Sequence, residues 1–101
     1  MKNTLKEKLA QGTKPLGTFV GTGSAAVVEC LGCAGLDFVI LDNEHSPIEA
    51  ETTAELVRAA ERQNITPLAR VREISRPAIL KLLDVGVQGL IIPDVHSAED
   101  V

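Results

Sequence analysis

Apolar residues recur along this chain with two alternating periods, and capping or turn residues fall between them. Leu5 and Leu9 stand at i, i+4 between Thr4 and Gln11, with Gly12 behind them, which predicts a short opening helix. The run Leu16 to Gly21 predicts a first strand. It is followed by the turn Gly21-Thr22-Gly23-Ser24, where Ser24 suits a helix N-cap. Val27, Leu31 and Ala34 then make one helical face closed by Gly35, and Leu36 to Leu41 reads as a second strand. Ser46-x-x-Glu49 has the form of a capping box with Pro47 at the first helical position. It predicts a helix beginning immediately beyond His45, with Ala50, Ala54, Val57 and Ala60 as its apolar side. Thr66 to Val71 predicts a third strand, Ser75 to Gly86 a helix carrying Ile79, Leu80 and Leu83, and Gln88 to Ile92 a fourth strand. Ser97-x-x-Asp100 marks the first turn of another helix.

Strands joined by helical crossovers imply a parallel α/β sheet with right-handed connections. The strands are almost wholly apolar, the pattern expected when both faces are covered. Four strands leave two open sheet edges. The alternation therefore reads as the N-terminal half of a TIM (β/α)8 barrel, a fold that takes about 250 residues when complete. Residues 1–101 are expected to be the first part of a single barrel domain. A small flavodoxin-like sheet is the alternative fold, and it would want a fifth strand.

Composition narrows the function. In 101 residues the chain is 45% hydrophobic and 24% charged, which is ordinary for a globular protein and excludes intrinsic disorder. A net charge of −4 and two Phe as the only aromatics supply neither a basic stripe nor a stacking platform for nucleic acid. No apolar run approaches the roughly 18 residues of a membrane span, and the N-terminus has no signal core, so a cytoplasmic location is expected. Cys30 and Cys33 form C-x-x-C, but no second Cys/His pair offers the remaining zinc ligands. They are read as buried structural thiols of a reducing compartment.

Polar residues gather at one end of the predicted sheet. Ligands of parallel α/β folds bind outside the carboxyl ends of the strands. Those ends carry Gly21-Thr22-Gly23-Ser24, then Asp42-Asn43-Glu44-His45, then Arg70 with Arg72 and Glu73, then Asp94 and His96. The opposite ends supply mostly Gly, Pro, Thr and Gln. This asymmetry selects Asp42, Glu44, His45 and Arg70. A histidine beside a carboxylate can act as a base near neutral pH. A guanidinium at the mouth suits a carboxylate or a developing enolate oxygen. "GTGS" lacks the Lys of a P-loop and the third Gly of a dinucleotide loop. His96 reads as a surface histidine beside a cap.

Together, "LKEKLAQGTKPLGTFVG", "GLDFVILDNEHSP", "PLARV" and "ILKLLDVGVQGLIIPDV" resemble the N-terminal part of the HpcH/HpaI aldolases, the metal-dependent class II pyruvate aldolases. The resemblance implies a TIM barrel, association as a homo-oligomer, commonly a hexamer, and reversible aldol cleavage of a 4-hydroxy-2-oxo acid to pyruvate and an aldehyde. It implies that His45 is the general base, Arg70 the transition-state stabiliser and substrate contact, and Asp84 in "LLDVG" the acid that raises the basicity of the histidine, supplied by a neighbouring subunit. Asp42 is expected to support His45 locally, and Glu44 to contact substrate. The resemblance implies a divalent cofactor, Mg, Mn or Co, whose Glu and Asp ligands are expected beyond Val101. The chain by itself is therefore expected to be inactive. Two departures stand out: Phe19 replaces an aromatic that is often larger, and Asp94 stands where Met is common. The alternatives are a non-catalytic half-barrel that assembles through its open edges, and a related lyase acting on a CoA ester or a phosphoenolpyruvate-type substrate.

Overall fold

The computed structural model describes residues 3–101. Helix α1 (Thr4–Ala10) precedes the alternation β1 (Gly17–Val20), α2 (Ala25–Cys33), β2 (Phe38–Asp42), α3 (Ala50–Arg62), β3 (Thr66–Arg70), α4 (Arg76–Asp84) and β4 (Gly89–Ile91), and a 3-10 turn follows at Ala98–Asp100. The capping predictions hold at two helices: Ser24 accepts the Val27 N–H at 3.3 Å and Ser75 accepts the Ala78 N–H at 3.3 Å. Asn64, at φ 57°, ends the turn after α3 in the left-handed region that Asn tolerates.

The sheet is parallel throughout, in the order β1-β2-β3-β4. That order separates the two folds left open by the sequence. A doubly wound sheet reverses its strand order at a switch point, whereas consecutive right-handed crossovers in one direction lay every helix on the same face. The chain winds as a barrel winds, and α2, α3 and α4 lie side by side against one face. Leu56, Val57, Ala59 and Ala60 of α3 form the centre of that layer, packed with Val39, Leu41, Ala69 and Val71 from the strands and Val28 and Leu82 from the flanking helices. Within these residues the other face has no helix layer of its own. Register and the two-residue period put Phe19, Ile40 and Leu68 on the other face, where Phe19 remains 49% exposed, Leu68 is half-buried and Ile40 is buried.

At the N-terminal end of the sheet, α1 caps this face. The Leu5 N–H donates to Thr66 Oγ1 at 3.3 Å, Thr4 Oγ1 lies 3.1 Å from the same atom, and Thr66 is fully buried. Lys8 pairs with Asp37, whose other oxygen accepts the Leu16 N–H at 2.8 Å.

Three helical faces differ from the prediction. In α2, Val28 and Leu31 turn inward in place of Val27, Leu31 and Ala34. Gly32 permits that packing, because a Cβ there would lie 2.4 Å from the Cβ of Gln63, the residue that caps α3. The rotation carries Cys30 and Cys33 to the outer surface, so both thiols are exposed and not buried. In α3, Val57 and Ala60 are buried as expected, but Thr53, Leu56 and Ala59 join them. In α4, Leu82 is the buried residue, with Ala78 and Ile79 beside it, while Leu80 and Leu83 face out. Among the described residues, no helix is long and apolar enough to cross a membrane.

Candidate functional site

At the carboxyl end of β2 the strand period decides where each side chain goes. Asp42, two residues after Ile40, shares the face of Ile40, and Asn43 turns to the helix side. Asp42 is paired in register with Arg70 at the end of β3, so a carboxylate and a guanidinium meet across adjacent strands. The contact is two-pronged: Arg70 Nε donates to Asp42 Oδ1 at 3.1 Å and Nη2 to Oδ2 at 2.9 Å. The guanidinium carbon lies 4.7 Å from the centroid of the Phe19 ring. Arg70 therefore leans across β2 toward β1, held edge-on by Asp42 with an aromatic face beneath it.

Asp42 also organises the chain that follows it. Its Oδ1 accepts the backbone N–H of Glu44 at 2.9 Å and of His45 at 3.1 Å, an Asx-type turn that folds the loop back over the strand end. Ser46 Oγ donates to the Asp42 carbonyl, and the Ile48 N–H donates to Ser46 Oγ at 3.3 Å. Helix α3 accordingly begins at Ala50, with Glu49 at its N-cap making no side-chain cap bond. The Ser46-x-x-Glu49 capping box is therefore not formed, because the Ser46 hydroxyl is drawn to the end of β2 before a helix can use it.

The result is a chain of charges. Glu44 Oε1 lies 3.4 Å from Arg70 Nε and 3.2 Å from His45 Nε2. Asp42 is only 7% exposed, whereas the His45 side chain is 67% exposed at the mouth. The Arg70 guanidinium, helped by the His45 and Glu44 N–H groups, outweighs the cost of burial and holds the Asp42 carboxyl down at about 2. In return, the Asp42 carboxylate raises the Arg70 pKa against its own desolvation. The cluster holds a permanent cation and a permanent anion, with an imidazole reaching outward beside them.

Of the residues singled out in the sequence, Asp42, Glu44, His45 and Arg70 come together. Asp84 does not. It is exposed at the last turn of α4, and because the helices run antiparallel to the strands, that turn lies at the opposite end of the sheet from His45. Asp94 is exposed with φ 53°, and His96 is exposed with its N–H donating to Asp100 Oδ2 at 2.9 Å. Asp100 Oδ2 also accepts the Ser97 N–H at 3.2 Å, so this acid reaches back as the sequence predicts, although the turn is 3-10. Sequence reasoning missed Asn43 and Thr53. Both are buried and mutually hydrogen-bonded, and the only signal was a Thr on the inward side of α3.

The described residues do not fit a divalent ion. Both Asp42 oxygens are taken up by Arg70 and backbone N–H groups, and no group of three His, Cys, Asp or Glu side chains among the described residues is placed to hold a metal.

Comparison with known proteins follows the same outline. Residues 16–101 match the family described as HpcH/HpaI aldolase/citrate lyase. A hydroxypyruvate/pyruvate aldolase from Paraburkholderia phytofirmans is 33% identical over 97 residues, covering 96% of this chain and 36% of the relative. The crystal structure of an HpcH/HpaI aldolase from Desulfitobacterium hafniense superposes with a TM-score of 0.88 at 34% identity, over 95% of this chain and 38% of that one. The citrate synthase SbnG superposes at 0.90 with 39% identity, over 94% and 39% respectively. The chain thus spans under two-fifths of each of these three proteins.

Proposed function

Because the chain belongs to the HpcH/HpaI aldolase/citrate lyase family, we propose that its Asp42, Glu44, His45 and Arg70 cluster is the proton-handling and oxyanion-binding part of a carbon–carbon lyase that cleaves a 4-hydroxy-2-oxo acid reversibly to pyruvate and an aldehyde. One observation carries this reading: a guanidinium locked edge-on by a buried carboxylate, beside an exposed imidazole, at the carboxyl ends of parallel strands.

The chemistry follows from those residues. His45 takes the proton of the 4-hydroxyl, the C3–C4 bond breaks to release the aldehyde, and its electron pair flows to the 2-keto oxygen. Arg70 stabilises the oxyanion that grows there, in a geometry Asp42 has fixed before substrate arrives. Protonation of the enolate at C3 then yields pyruvate. Glu44 bridges imidazole and guanidinium, and so holds the two groups beside one another. Asp84 enters this scheme only if a second copy presents it at the mouth, so a homo-oligomer is part of the proposal.

The test uses the longest polypeptide that the encoding reading frame yields, supplied with Mn2+ and a 4-hydroxy-2-oxo acid. Pyruvate release, followed through a coupled dehydrogenase, is the expected outcome. If neither cleavage nor the reverse condensation is detected in folded protein, the assignment fails. Mixing His45→Ala protein with Asp84→Ala protein tests the shared site: restored activity supports supply of the acid by another subunit. A second reading rests on the 39% identity to the citrate synthase. In it the same oxyanion support serves condensation of an ester enolate with a 2-oxo acid, and a tertiary hydroxy acid product in place of pyruvate would select it.

A further inference from the structure

The loop between β2 and α3 carries Glu44 and His45, and its two ends meet on a single hydroxyl. Thr53, fully buried among Leu56, Val57 and Ala60, donates through Oγ1 to the Glu49 carbonyl at 2.9 Å, and its own N–H donates to the same oxygen at 2.9 Å. Having one proton, that hydroxyl then accepts, and Asn43 Nδ2 donates to it at 3.2 Å. Asn43 is 9% exposed, and its backbone N–H donates to the Arg70 carbonyl at 3.0 Å. Residue 43, where the loop leaves the strand, and residue 49, where it joins the helix, are thus tied through Thr53, and the same tie reaches the end of β3.

We propose that Asn43 and Thr53 form a latch that closes the 43–49 loop and fixes the aim of Glu44 and His45 toward Arg70. They are positioning residues: neither faces the mouth, and they act through the backbone they hold. The inference deepens the lyase reading above and rests on it for its kinetic consequence, although the geometric claim stands apart from any activity. A buried hydroxyl on an otherwise apolar helix face costs stability unless it is satisfied. Here it is satisfied by the two ends of the loop that carries the imidazole. Reactive groups displaced by about 1 Å can lose about 10²-fold in rate, so closing this loop matters far more to chemistry than to folding.

Two near-isosteric substitutions separate a latch from simple packing. Thr53→Val keeps the volume and removes the hydroxyl; Thr53→Ser keeps the hydroxyl and removes the methyl. If the latch operates, Thr53→Val lowers kcat about 10- to 100-fold with KM changed less than about threefold, whereas Thr53→Ser stays within about threefold of the parent. A readout independent of turnover is the Arg70 Nε–Hε resonance in a 1H–15N spectrum. It is expected to shift and broaden in Thr53→Val and to persist in Thr53→Ser. The reverse ranking, with Val retaining kcat and the Arg70 resonance while Ser loses them, overturns the proposal. Should Thr53→Val not fold, Asn43→Ala breaks the latch from its other side and leaves the Thr53 to Glu49 bond in place; an unchanged Arg70 resonance there overturns the proposal equally. If the parent shows no lyase activity, the spectroscopic ranking still decides the latch, so the two readings fail separately.

Discussion

Strand β2 is bracketed by two aspartates, and they do similar chemistry to different ends. Asp37, just before the strand, pairs with Lys8 and accepts the Leu16 N–H. Asp42, the last residue of the strand, pairs with Arg70 and accepts the Glu44 and His45 N–H groups. Both carboxyls are held below the usual carboxylate range by the cation beside them. At the Asp37 end the partner is a flexible ammonium on α1, and that helix covers the end of the sheet. At the Asp42 end the partner is a planar guanidinium gripped at two atoms, and an imidazole stands in the open beside it. An ion pair at a strand end does not itself make a site. It makes one where the cation is geometrically fixed and the space in front of it is left free.

The most forceful way to break this comparison is to remove the groups on the open side. His45→Ala and Arg70→Ala are each expected to lower kcat by about 10²- to 10⁴-fold in the proposed lyase, with circular dichroism unchanged for the exposed His45. Near-normal turnover in either variant would remove the distinction between the two ends. Next comes stability. Asp42→Ala deletes two contacts to Arg70 and two to backbone N–H groups, and is expected to cost about 2–3 kcal/mol in urea unfolding. Asp37→Ala, whose partner is a half-exposed Lys8, is expected to cost no more than about 1 kcal/mol and to leave kcat alone. Equal costs would show that the two ends do the same structural work.

Acid unfolding sharpens the same contrast. The Asp42 carboxyl falls from 3.8 to about 2 on folding, so its contribution is fully present above the unfolded value. That contribution, about 2 kcal/mol, is lost as pH falls from about 4 toward 2. The Arg70→Ala variant should lack most of this acid-dependent step; an unchanged profile would show that Arg70 is not its cause. The smallest effect is expected far from both ends. Cys30→Ser with Cys33→Ser should shift stability by less than about 0.5 kcal/mol, and both thiols of the native chain should react readily with an alkylating reagent.

Much of the candidate site was legible because strand ends and polar side chains coincide in the sequence. Asp42, Glu44, His45 and Arg70 follow their apolar runs directly, and the parallel rule gathers strand ends without knowledge of packing. Ser46 misled because its capping pattern is local, while the acceptor it actually finds, the Asp42 carbonyl, depends on how the loop folds back. The cysteines misled because α2, with Glu29 as its one charged residue, has little polar side to set its rotation. Gly32, by letting α2 close on Gln63, sets it instead. Asn43 and Thr53 were invisible for a related reason: each looks like an ordinary polar residue until burial brings the two side chains within hydrogen-bond distance.

By itself, then, the sequence determined the order of helices and strands, the parallel sheet and the four residues at its mouth, because period, caps and strand ends are properties of neighbours along the chain. The tertiary structure alone decided that the strands run in the order 1-2-3-4 with the helices layered on one face, that Arg70 is held edge-on by Asp42, and that the His45 loop is closed through Thr53. Those features depend on contacts between residues distant in sequence, and such contacts exist only once crossovers, burial and register have brought the partners together.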